Sequence, residues 1–196
     1  MRAFKRTTEP AVEPVIVGRL RSALVIDSND RDGELKLRIQ EATDVLEREF
    51  GTALITQTWQ LQLDGFPAGG CIRLPHPPLQ AVTSIQYVDA AGDTQTWDAA
   101  DYRVDAFSEP GRITPAYDKV YPITRAVMGA VTITYTAGYG DAESDVPFSA
   151  RAAVQLLAAD LFRNPETVLQ GVSITELPSS LSVERLMRPL TGYKFG

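Results

Sequence analysis

The chain has 196 residues, 44% hydrophobic and 22% charged, proportions ordinary for a folded soluble protein, and a chain this long buries roughly 70% of its unfolded surface without disulfide or metal support. Its 19 basic and 25 acidic residues leave a net charge of −6, which argues against wrapping nucleic acid by neutralising phosphates, though not against letting it pass. One cysteine and one histidine exclude an intrachain disulfide and a nitrogen- and sulfur-ligated zinc site built from one chain, and no apolar run reaches the ~18 residues of a membrane span.

Residues 1–16 contain Pro10 and Pro14 and no sustained periodicity, so they read as an extended arm. The lead-in is basic, with Arg2, Lys5, Arg6, Arg19 and Arg21 against Glu9 and Glu13. No apolar stretch of a secretory signal follows it, so a cytosolic product without a membrane anchor is expected. A short helix is expected around Arg19 to Leu24. A long one follows, with Ser28, Asn29 or Asp30 as candidate N-caps and Leu35, Ile39, Ala42, Val45, Leu46 and Phe50 at helical spacing. Gly51 stands where a left-handed C-terminal stop belongs.

The stretch "ALITQTWQLQLDGFP" alternates Ile55, Gln57, Trp59, Leu61 and Leu63 with Thr56, Thr58, Gln60, Gln62 and Asp64. That period of two predicts a strand with one buried and one wet face. "CIRLP", "VTSIQYVD", "TQTWD", "DYRVD", "GRITP" and "AVTITYTAG" follow as further strands between Gly, Pro and Asp turns, giving an antiparallel β unit at about residues 53–137. "DVPFSARAAVQLLAADLFRNP" returns to helix, with Ala150, Val154, Leu157, Ala158 and Leu161 on one face. Beyond a loop-like segment, "LSVERLMRPLTGYKFG" places Val183, Leu186 and Met187 on one helical face until Pro189. The expected fold is α+β: a helical bundle with an inserted antiparallel β unit. Residues 17–165 form one globular domain, and 166–196 a loop and tail.

No enzyme template fits. Cys71 follows two glycines and reads as a small buried or half-buried side chain, and His76 lies in the proline-stiffened "PHPPLQ". "TAGYGD" lacks the Lys-Ser/Thr of a phosphate loop and reads as a turn. Trp59, Trp97, Tyr87 and Tyr102 are core residues or, alternatively, a platform for sugars or bases. Seven acidic residues, Asp89, Asp93, Asp98, Asp101, Asp105, Glu109 and Asp118, stand against Arg103 and Arg112 between residues 85 and 118, a net of −5. Most occupy turns, where Asp accepts backbone hydrogen bonds; a surface of collective negative charge is the alternative reading. The tail carries Leu181, Val183, Leu186, Met187, Leu190, Tyr193 and Phe195. Folding back onto its own domain and insertion into a partner are both open.

Taken together, "ALITQTWQLQLDGFP", "IRLPHPPLQAVTSIQYVDAAGDTQTWDAADYRVD", "EPGRITPAY", "VTITYTAGYGD" and "VPFSARAAVQLLAADLFRNPETV" resemble the head-tail connector, or adaptor, proteins of long-tailed phages, prophages and gene transfer agents. The resemblance runs from about Glu13 to about Leu186. It implies a structural subunit without enzymatic activity, cofactor or metal, assembling in the virion, after a stage in the host cytoplasm, as a ring typically of twelve beneath the portal protein. The ring would extend the DNA channel, dock on the portal through the C-terminal segment from Leu181 to Phe195, and offer its other side to tail-completion or stopper proteins. DNA would pass without sequence-specific contact, with Asp98, Asp101 and Asp105 as candidate channel or interface carboxylates. The reading from another class is a monomeric virion-associated module that binds protein or carbohydrate.

Overall fold

The computed structural model describes residues 2–164 and 180–190, and the fold is α+β. Its contacts gather the chain into two compact units. One comprises the N-terminal strand and Thr56–Gly138; the other comprises Ala11–Ile55 and the helices after Gly138.

In the helical unit, α1 (Val17–Ala23) and α2 (Asp32–Phe50) precede the β unit in sequence, and α3 (Phe148–Arg163) and α4 (Ser180–Met187) follow it. The predicted 3.6-residue stripe of α2 is its buried face: Leu35, Ile39, Ala42 and Leu46 are fully covered. Gly51 ends the helix at φ 61°, its N–H donating to the Glu47 carbonyl. The expected caps at Ser28, Asn29 or Asp30 are not used. A turn closed by the Asp32 N–H on the Asn29 carbonyl intervenes, and α2 starts after Arg31 with no side-chain cap, Asp32 and Glu34 lying in its positive first turn. On α3, Ala150, Ala153, Val154, Leu157, Ala158 and Leu161 are buried; the small alanines let the helices approach closely. Glu47 is buried because its carboxylate accepts the Leu54 N–H at 2.8 Å, satisfying two groups that would each be costly alone.

The β unit is wholly antiparallel. Strands β1 (Arg2–Thr8), β2 (Gln57–Leu63), β8 (Val131–Ala137), β4 (Leu79–Val88) and β5 (Thr94–Thr96) form one sheet in that spatial order. Strands β3 (Ile72–Arg73), β7 (Arg112–Pro115) and β6 (Tyr102–Asp105) form a second. Residues 2–8, which belong to the stretch read as an extended arm, pair with β2 from Arg2↔Leu63 to Thr8↔Thr58. Their side chains give no alternation because β1 lies at the sheet edge and is mostly exposed.

The alternation of β2 and β8 behaves as the pattern requires. Trp59, Leu61, Val131, Ile133 and Tyr135 are buried, while Thr58, Gln60 and Gln62 pair on the opposite face with Thr136, Thr134 and Thr132. Gln57 breaks the apolar parity yet is only 1% exposed; its Oε1 accepts from Arg6 of β1 at 3.1 Å, so the edge strand supplies one polar partner for this buried amide.

Candidate functional site

The turn carboxylates build local structure. Asp89 accepts the N–H groups of Ala91, Gly92 and Asp93, and Asp98 caps a single 3₁₀ turn through the Ala100 N–H at 2.8 Å. Asp101 pairs with Lys119 at 2.7 Å. Asp105 does the most: Oδ1 accepts the Phe107 and Ser108 N–H groups, and Oδ2 accepts Ser108 Oγ–H at 2.7 Å and Arg112 Nη2–H at 2.6 Å. These partners, the Ser108 hydroxyl foremost and then Arg112, hold the Asp105 carboxyl well below the usual carboxylate range. The carboxylate ties the tip of the β6–β7 hairpin into one shape, and at that tip Phe107 is 100% exposed.

The segment between β7 and β8 repeats the arrangement. Tyr121 anchors it: the hydroxyl donates toward the carbonyls of Gly70 and Ile113, and the ring stacks on Phe66 at 5.2 Å and lies 5.5 Å from Trp97. Arg125 donates its N–H to the Val88 carbonyl, and Gly129 donates its own to Asp64. Around these fixed points Tyr117, Val120, Ile123 and Met128 are each more than 80% exposed. A groove of about 480 Å³ beside them is lined by Phe66, Gly70, Lys119, Val120 and Tyr121, among others. Loops tied down by their own backbone that hold large apolar side chains in water have the character of a protein contact surface. Sequence reasoning missed these residues. The signal was the apolar content of "AYDKVYPITRAVMG", which has neither period.

The remaining candidates resolve individually. Cys71 is half-buried, and His76 is buried with its ring on Trp59 and Phe4, contacts of a packed core rather than of a thiol's activating base. Trp97 is 5% exposed and packs among Phe66, Tyr102 and Tyr121, so it offers no open face for a sugar or base, and Trp59 is covered likewise. In "TAGYGD", Gly138 donates to the Pro78 carbonyl, and the Asp145 side chain occupies the space a Cβ on Gly140 would need, a tight turn in both cases.

In the C-terminal segment the structure separates residues that the sequence grouped. Val183 and Met187 are fully buried, and Leu186 and Leu190 pack against the same core as α2 and α3. Leu181 is 67% exposed, and Tyr193 and Phe195 lie outside the described residues. Of the two readings left open by the sequence, Val183 and Met187 follow the first, lying on a helix folded onto its own unit. The reason is that α4 lays this face along α3.

This fold, with its exposed apolar loops and locally bonded carboxylates, is shared with structural chains of virion necks. The chain is similar to one in the neck of an empty gene transfer agent particle computed with C6 symmetry, with TM-score 0.78 and 26% identity over 99% of this chain and 97% of that one. It is similar also to a chain in the neck of the native particle computed with C12 symmetry, with TM-score 0.75 and 25% identity over 99% and 97%. A third, in the virion of a native gene transfer agent particle, gives TM-score 0.72 and 25% identity over 94% and 93%. No family model and no curated protein matches the chain.

Proposed function

We propose that this chain is a head-tail connector (adaptor) subunit that forms a ring of twelve below the portal, extends the DNA channel and carries the docking surface for tail-completion proteins. The observation that supports it best is the likeness to neck chains across nearly the full length of both partners, in particles computed with C6 and C12 symmetry. A closed ring needs two different complementary patches on each subunit. The exposed apolar loops at Phe107 and at Tyr117–Met128 offer contacts suited to a neighbouring neck protein.

Portal docking is assigned to the C-terminal segment of Leu181, Val183, Leu186, Met187, Leu190, Tyr193 and Phe195. Within it Val183 and Met187 hold the helix in place, and Leu181 is the exposed apolar contact on α4. The subunit resides at the head-tail interface of the virion after a cytoplasmic stage, and DNA passes it without base-specific contacts. Negative-stain images of the purified chain mixed with its cognate portal test the proposal. Rings seated on one face of the portal are expected, and portals that remain bare at micromolar concentrations of both would overturn it.

A further inference from the structure

We propose that β1 is exchanged between subunits, the N-terminal strand of one copy pairing with β2 of the next and linking the ring as a chain of donated strands. This rests on the ring reading above and specifies how neighbours are joined.

The route of the chain makes the exchange feasible. By its contacts β1 belongs to the β unit, yet the residues that follow, Ala11–Ile55, belong to the helical unit, and the chain rejoins the β unit only at Thr56. The strand is therefore a separately tethered element, joined through a connection that carries Pro10 and Pro14, residues that favour extended backbone. It can leave β2 without any other strand changing partner.

Backbone pairing dominates the attachment of β1, because it sits at the sheet edge with most of its side chains in solvent; even Phe4 is 54% exposed. Its attachment is backbone pairing with β2 and a few side-chain contacts. Phe4 sets its ring edge against Trp59 and His76 at 6.3 and 5.0 Å, Arg6 reaches Gln57 and lies over the Trp59 ring, and the Thr7 hydroxyl donates to the Thr58 carbonyl.

What replaces β1 must meet the same demands. Without it, β2 presents a row of unpaired backbone groups, which is a template for another strand, and the Arg6–Gln57 hydrogen bond is lost. The occupant that restores every one of these contacts is the β1 of a second copy, which makes exchange nearly neutral in energy. Copies held at fixed spacing then favour it through effective concentration, and the similar chains lie in necks computed with C6 and C12 symmetry.

The registered pair Lys5↔Gln60 provides the test. In a Cys71→Ser background, Lys5→Cys and Gln60→Cys are introduced together, particles are assembled with this chain, and a short thiol-to-thiol cross-linker is applied before denaturing electrophoresis. Exchange converts the monomer band into a ladder of covalent multimers, and each single-cysteine chain stays monomeric. A monomer band whose two cysteines have been consumed, in particles with intact rings, overturns exchange and leaves the ring reading standing. If rings are absent from particles assembled with the unaltered chain, the ring reading fails and exchange fails with it. The pair Ala3→Cys with Gln62→Cys, also in register, repeats the measurement should the first impair assembly.

Discussion

The imidazole of His76 lies flat on the indole of Trp59, ring centroids 3.8 Å apart and planes 10° from parallel. Phe4 closes the edge of this pair, and among the described residues neither imidazole nitrogen finds a hydrogen-bond partner. Burial, and after it the charge of Arg6, holds the His76 pKa down to about 4 from its ordinary 6.5. As pH falls below 6.5 the unfolded chain takes up this proton before the folded one does. Stability is thus present above about 6.5 and drains away down to about 4, at no more than about 1.4 kcal/mol per pH unit from this group. Urea unfolding between pH 7.5 and 4 is expected to show that slope. His76→Asn, whose side chain tolerates the left-handed backbone at φ 58°, is expected to be less stable at neutral pH and to lose that share of the slope.

The C-terminal helix separates stability from docking. Met187→Ala removes a fully buried side chain and is expected to cost about 2–5 kcal/mol in denaturant unfolding. Leu181→Ser, on the exposed side of the same helix, is expected to change stability by no more than about 0.5 kcal/mol while reducing co-sedimentation with portal at least several-fold. Full portal binding by Leu181→Ser would remove Leu181 from the docking surface.

The pinned loops should show the same separation. Phe107→Ser, Ile123→Ser and Met128→Ser each replace a side chain more than 80% exposed, so unfolding midpoints are expected to stay within about 0.5 kcal/mol of the parent. Incorporation of the triple variant into necks, read by mass spectrometry of purified particles, is expected to fall at least tenfold. Normal incorporation with tails attached would show that this surface is not a contact.

The carboxylates can be divided by their local partners. Asp105→Ala removes the acceptor of Ser108, Arg112 and two backbone N–H groups, so the hairpin tip is expected to lose order, seen as faster amide exchange at Phe107 and Ser108. Because Asp105 has its pKa lowered in the fold, this support is present above the ordinary carboxylate range and is lost only as pH falls well below it. The triple change Asp98→Asn, Asp101→Asn and Asp105→Asn tests collective charge. A lining of the DNA channel predicts slower ejection from complete particles, whereas an interface predicts particles without tails.

Periodicity by itself determined the elements whose burial is one-sided. In α2 the stripe from Leu35 to Leu46 and the stop at Gly51 follow from local chemistry, and in β2 and β8 alternation assigns each residue to a face whatever lies beyond. The turn role of the carboxylates was legible for the same reason, since Asp89, Asp98 and Asp105 bond to backbone within a few residues of themselves. Tertiary structure alone decided what covers each face. Nothing local in β1 announces pairing, because an edge strand with exposed side chains carries no alternation; its partner β2 is about fifty to sixty positions away. The stripe of Val183 and Met187 was visible, but a stripe states that a face needs covering and not what covers it; here α3 does. Phe107, Ile123 and Met128 are the converse case. Their exposure follows from anchors at the Asp105 carboxylate, the Tyr121 hydroxyl and the Gly129 N–H that hold the loops in fixed positions, leaving hydrophobic side chains in water because no element of their own unit reaches them.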